Sequence, residues 1–175
     1  MNDPQVLIGL SNPKSPTNVG AVMRAAGCFS ADAVRYTGTR HDRAARYSTD
    51  TQQVSRHIPI TRVESMLDAL PPAIQVVCIE LVEGAIALPD FVHPERALYL
   101  FGPEDGTLEQ SLIDRADAVV YIPTVGCLNL AATVNLVLYD RLCKNPQHTR
   151  GDELIRRSRD TNNNARIRAK PATPK

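Results

Sequence analysis

The sequence predicts an α/β protein whose mostly parallel sheet is covered by helices on both faces. Two observations carry this. Short, β-branched, nearly uncharged runs recur at Val6–Leu10, Ala33–Thr37, Ile74–Ile79, Ala97–Phe101 and Ala118–Ile122. Between them lie segments whose apolar residues fall three and four apart, the alternation of strand and crossover helix that builds parallel sheets.

Val6–Leu10 carries no charge and reads as a central first strand. The loop from Ser11 to Thr17 is turn chemistry throughout, and Thr17 or Asn18 can cap the helix carrying Val19, Val22, Met23, Ala26 and Cys28. Arg24 lies in that helix; its charge either reaches solvent or leans over the strand ends toward a phosphate or carboxylate. After the second strand the chain turns polar and basic. Arg35, Arg40, Arg43, Arg46, Arg56 and Arg62 are interleaved with Tyr36, His41, Tyr47 and His57, a mixture suited to unpaired RNA, whose bases stack on rings and guanidinium planes.

Ile58–Ile60 is a candidate short strand, and Val63, Met66, Leu67 and Leu70 mark a helix ended by Pro71 and Pro72. Glu80 follows the strand Ile74–Ile79, and Gly102 follows Ala97–Phe101. In parallel sheets ligands collect outside the carboxyl ends of strands, so these two positions and Pro123, which follows the last strand, are candidates to line one pocket. Glu104 lies between Gly102 and Gly106; such a carboxylate is solvated, caps the next helix (Leu108–Ala116) or belongs to a site, whereas Asp105 is expected to face solvent. Pro123 ends the last strand because it has no N–H for the ladder. Asn129 then stands where its side chain caps a helix carrying Leu130, Val134, Val137 and Leu138.

The chain has 175 residues, 43% hydrophobic and 22% charged, enough for one full-sized core and a tail. Domain 1–144 is followed by a basic tail, 145–175, expected to be partly disordered. From Lys144 onward nine Lys/Arg stand against three acids, a net +6 that leaves the rest of the chain at −5 of the total +1. A basic appendage on an acidic body suits a polyanion, since each neutralised phosphate releases a counterion. No apolar run approaches membrane-spanning length and the start lacks a signal-peptide pattern, so the cytoplasm is the expected compartment. The four cysteines lie far apart among apolar neighbours and read as reduced core thiols; with no clustered histidines, no metal is expected.

Three segments, Asn18–Arg24, Leu100–Gly106 and Ile122–Asn129, resemble in order and spacing the three motifs of the TrmH branch of SPOUT RNA methyltransferases. The resemblance spans roughly residues 5 to 144. It differs in the third motif, whose loop is shorter here and holds Cys127 where the family usually has a serine. The resemblance implies a C-terminal trefoil knot, a homodimer and an RNA substrate, tRNA or rRNA, methylated on a ribose 2′-oxygen. It implies S-adenosylmethionine as cofactor, bound largely by backbone at Glu80, Gly102, Ile122, Cys127 and Leu128. It makes Arg24 the catalytic arginine, held by Asn18 and Glu104, with Asn129 capping its helix and orienting the substrate side. A guanidinium keeps its proton above about pH 12, so phosphate clamping and hydroxyl positioning suit Arg24 better than general-base work. Met23, Val134, Leu138 and Tyr139 are compatible with a dimer surface and equally with core packing. Arg40, Arg43, Arg46, Arg156 and Arg157 are the candidate RNA contacts. An RNA-binding module of the same fold without catalysis is the alternative; a nucleotide-binding enzyme for small molecules is disfavoured because no G-x-G-x-x-G or Walker loop occurs.

Overall fold

Among the described residues seven strands, all parallel to their neighbours, form one sheet in the order β3-β2-β1-β6-β4-β7-β5. They are β1 (Gln5–Leu10), β2 (Ala33–Tyr36), β3 (Ile60–Arg62), β4 (Gln75–Ile79), β5 (Ile86–Ala87), β6 (Arg96–Phe101) and β7 (Ala118–Tyr121). The helices are α1 (Pro16–Cys28), α2 (Arg40–Ala45), α3 (Gln110–Ile113), α4 (Leu130–Lys144) and α5 (Asp152–Ser158). This computed structural model describes residues 5–45 and 58–167, without side chains at 43–45. Two compact units divide the chain, Met1–Asn145 and Pro146–Lys175; the second contains α5. Among the described residues no helix is long and apolar enough to cross a membrane.

Side chains alternate across each strand, so the two faces of the sheet bury different residues. Ile8, Leu10, Val77, Tyr99 and Phe101 meet Val19, Val22 and Met23 of α1 and Val134, Val137 and Leu138 of α4. The opposite face buries Leu7, Val76, Cys78, Leu98 and Leu100 under Met66 and Leu108. Strand β1 is internal, between β2 and β6, and its uncharged stretch is covered on both sides as expected.

Several expectations are corrected. The helix starts earlier than Thr17 or Asn18 would allow: Ser15 is the cap, its Oγ accepting from the Asn18 N–H at 3.3 Å, because Pro16 supplies a preset first helical residue. No helix covers Val63–Leu70. Its apolar side chains reach the sheet through irregular turns, broken by Ala69 in the left-handed region (φ 48°). Arg35 donates to the carbonyls of Met66 (3.1 Å) and Asp68 (3.0 Å), which removes it from the set of RNA-facing cations. The helix expected over Leu108–Ala116 shrinks to α3. Met23, Val134 and Leu138 are buried in their own core, and only Tyr139 of the four dimer candidates is exposed. Of the cysteines, Cys78 alone is buried, its thiol pushed up to about 11 by burial; Cys28, Cys127 and Cys143 are exposed.

A part-buried polar chain ties α4 to the segment before β6. Arg141 donates to the Tyr99 hydroxyl (3.1 Å), which pairs with His93 Nδ1 (2.6 Å), while His93 Nε2 meets Asp140 (2.8 Å). Lys144 bridges Asp140 (2.7 Å) and the carbonyls of Leu88 (2.6 Å) and Phe91 (3.0 Å). Every member is satisfied if His93 is neutral with its proton on Nε2 and Tyr99 donates to Nδ1. Burial holds the His93 pKa below 6.5 despite the pull of Asp140. The unfolded chain therefore binds the extra proton first, and stability present above pH 6.5 falls as pH drops through the lowered folded value. Thermal midpoints measured from about pH 8 to about pH 5.5 should fall in the wild type, and His93→Gln should remove this share of the slope. An unchanged slope would show that His93 does not titrate between the two states.

Candidate functional site

The carboxyl ends of β4, β6 and β7 lie side by side, with Ile79 opposite Phe101 and Val120 in register. The residues that follow, Glu80, Gly102 and Ile122, consequently open on one cavity of about 270 Å³. That is close to the lower end of small-molecule sites, about 300 Å³. All five backbone-binding candidates line it: Glu80, Gly102, Ile122, Cys127 and Leu128. Asn18, Glu104 and Asn129 line it too. Arg24 is not part of its wall and lies on the exposed side of α1. Ile122 and Thr124 form the wall at the last strand, rather than Pro123.

Local chemistry explains how each wall is held. Asn129 caps α4, its Oδ1 accepting from the Ala132 N–H at 2.7 Å, so the first turn of α4 brings Leu130 and Thr133 to the cavity. The preceding loop is bonded to itself, Thr124 donating its hydroxyl to the Gly126 carbonyl at 2.7 Å. Glu80 folds back at the end of β4: one oxygen accepts from its neighbour Leu81 N–H (3.1 Å), the other from Leu108 N–H (2.9 Å). Gly102 lies in the resulting cradle, where a Cβ would stand 3.2 Å from the Glu80 carboxylate and 3.3 Å from Leu108 N. Any side chain there would force these neighbours to give by a few tenths of an ångström, and with Gly102 the backbone stays bare at this wall of the cavity.

Glu104 clamps two loops that are far apart in sequence. It accepts from the backbone N–H of Lys14 (2.8 Å) and Ser15 (3.0 Å) and from the side-chain amide of Asn18 (3.1 Å). An anion at the start of α1 also meets the positive end of that helix. Burial pushes its carboxyl up, but these donors outweigh burial and hold it below the usual 4.5. The clamp spans the boundary between β1 and β6, where the chain switches from building one side of the sheet to the other, the place at which open α/β sheets bind ligands.

Next to it, Arg40 donates both Nη1 and Nη2 to Asp105 (2.9 and 2.8 Å), with Lys14 at 3.6 Å. The Asp105 carboxyl is held below its usual range, chiefly by the Arg40 hydrogen bonds. Thus Asp105 is exposed but paired, and Arg40 is committed to it. The side chain of Arg43 and the whole of Arg46 lie outside the described residues. Arg156 and Arg157 are exposed on α5 in the second unit. Leu81, Tyr121 and Thr133 complete the cavity wall without having been singled out by the sequence, since no local pattern marks them. Among the described residues no cluster of three His, Cys, Asp or Glu could hold a metal ion.

A family model described as the SpoU rRNA Methylase family matches residues 5–139. No curated protein matches in sequence. The SpoU methyltransferase AviRb from Streptomyces viridochromogenes, in complex with AdoMet, is similar with TM-score 0.64 and 22% identity; the match covers 81% of this chain and 60% of that one. The A. aeolicus TrmH/SpoU tRNA modifying enzyme gives TM-score 0.68 at 17% identity, covering 80% of this chain and 75% of the other. A structure described by 2-OH methylation of C/U34 on tRNA gives 0.68 at 23%, covering 81% and 91%. This chain spans only three fifths of AviRb, and at these identities the likeness is one of fold.

Proposed function

The chain belongs to the SpoU rRNA methylase family, and from that premise we propose that it transfers a methyl group from S-adenosylmethionine to a ribose 2′-oxygen of tRNA or rRNA. The observation that carries this reading is the meeting of three distant segments, around Asn18, Gly102–Gly106 and Ile122–Asn129, in one cavity. The residues fit the cofactor. Gly102 leaves bare backbone where any Cβ would press on Glu80 and Leu108, and Ile122, Leu128 and Leu130 offer apolar walls. Glu80, Gly102, Ile122, Cys127 and Leu128 would hold it, and because backbone groups do the holding, the thiol at Cys127 is tolerated. The bound cofactor supplies a methyl already activated on a sulfonium.

What remains for the chain is orientation, which is worth several kcal/mol. In this reading Asn18 and Glu104 fix the loop after β1, Asn129 fixes the start of α4, and Arg24 clamps the phosphate beside the target hydroxyl. Because Arg24 stands outside the cavity of its own chain, it acts in a site completed by a second copy. The exposed Leu136 and Tyr139 of α4 support such a homodimer. The trefoil knot, action in the cytoplasm, and a catalytic domain 1–144 followed by a basic RNA-holding tail 145–175 belong to the same proposal.

Titration calorimetry with S-adenosylmethionine, followed by mapping of 2′-O-methyl sites in cellular RNA with and without the protein, tests it. Saturable uptake and a lost site are expected. Cys127 at the usual serine position favours a second reading, an RNA-binding module without catalysis, which would take up no cofactor. Arg24→Ala should keep cofactor affinity and lower methyl transfer by about a hundredfold or more, the scale of losing one charge-stabilising donor. Full activity in that variant would remove Arg24 from the mechanism.

A further inference from the structure

We infer that a second groove, beside the cavity, binds one unpaired nucleotide of the RNA strand adjoining the methylated one, with Arg115 on its phosphate. This rests on the reading of the chain as an RNA methyltransferase. The groove has a volume of about 530 Å³ and lies at the carboxyl ends of β1 and β2, closed on its far side by α3 and the residues after it. Asn12 and Gly38, just after β1 and β2, line it. Asn12 (φ 43°) and Gly38 (φ 77°) both adopt left-handed conformations, and a Cβ on Gly38 would stand 2.2 Å from Asn12 Oδ1. A non-glycine residue held in that region stores strain that the surroundings must maintain, a pattern that concentrates at ligand sites.

The lining suits a nucleotide. Hydroxyls of Ser11, Thr37, Thr39 and Ser111 and the Asn12 amide offer donors and acceptors for a base edge or ribose, and Met66 and Leu112 add apolar surface. Two carboxylates also reach the groove, but both face neighbours: Glu64 is 3.8 Å from Arg62, and Glu109 accepts from Ser111 at 3.5 Å. The two guanidiniums differ. Arg40 is already neutralised by Asp105, whereas Arg115 is exposed and, among the described residues, makes no hydrogen bond or ion pair. An uncommitted guanidinium at the rim of a polar groove is the natural partner of a phosphate. The Arg40–Asp105 pair links this groove to the cavity, Arg40 lining the groove and Asp105 following Glu104 of the cavity wall in the chain. Two neighbouring nucleotides of one strand would thus occupy adjacent depressions along the ends of the strands.

The test measures binding of a fluorescein-labelled single-stranded RNA of mixed sequence, and of uridine and adenosine monophosphates, to the full chain. Arg115→Ala should weaken RNA binding about tenfold at low salt and reduce the slope of log affinity against log salt by about one, with S-adenosylmethionine affinity unchanged. Ser111→Leu fills the groove without altering charge and should also weaken RNA binding. Unchanged RNA affinity in both variants overturns the inference. A loss in Arg115→Ala alone overturns the groove as a nucleotide site, leaving a diffuse charge effect. Monophosphates bound as tightly as the strand would make it a free-nucleotide site and overturn its assignment to RNA. Failure of the wild type to take up S-adenosylmethionine strikes the parent reading instead, because the RNA arms are scored without cofactor.

Discussion

Glu104→Ala is expected to lower stability by about 2–3 kcal/mol in denaturant unfolding, because three donors lose their acceptor together. The Lys14 and Ser15 N–H groups and the Asn18 amide all converge on this carboxylate, and only solvent could replace it for the more exposed of them. Glu104→Gln keeps one acceptor oxygen and should cost less. The sign with pH follows from the lowered carboxyl. Its contribution is complete above the ordinary value of 4.5 and is lost as pH falls through the lower folded value, when the native state must at last take up the proton. Acid unfolding of Glu104→Gln should therefore be shallower than that of the wild type. An unchanged midpoint in the alanine variant would mean that the two loops keep their places without the clamp.

Gly102→Val should abolish cofactor uptake on any practical scale, by about a hundredfold or more, while the circular dichroism of the fold persists. The added Cβ meets the Glu80 carboxylate at 3.2 Å and Leu108 N at 3.3 Å, and moving either away strains the hydrogen bond that joins them at 2.9 Å. The γ-methyl groups must then occupy the cavity or push the 102–108 loop away from β4. Gly102→Ala should produce a smaller loss of the same kind. Calorimetry on both variants decides the matter: wild-type affinity in the valine variant would put the binding site somewhere other than this cradle.

Local chemistry made part of this arrangement legible in the sequence. Asn129 as the cap of α4 follows from one side chain and the apolar spacing behind it, and the strand ends at Ile79, Phe101 and Tyr121 follow from uncharged runs stopped by Glu80, Gly102 and the Ile122–Pro123 corner. Parallel pairing then brings those ends together. Contacts between distant residues were not legible. Nothing near Glu104 in sequence announces Lys14 and Ser15 as its donors, and nothing near Arg40 announces Asp105, so the clamp and the ion pair are understood only from the fold. The helical spacing of Val63, Met66, Leu67 and Leu70 is real, but packing on the sheet and the carbonyls gathered by Arg35 decided their conformation. The His93 chain escaped notice for the same reason, since its members come from a loop, a strand and a helix.

The two outermost strands, β3 and β5, are only three and two residues long. A parallel sheet of seven strands otherwise presents at each margin a row of open amide and carbonyl groups onto which another chain could add itself. Truncating both margins leaves too few such groups to template that growth, so the folded protein should remain dispersed at concentrations where a broad, square-cut sheet would begin to form fibrils.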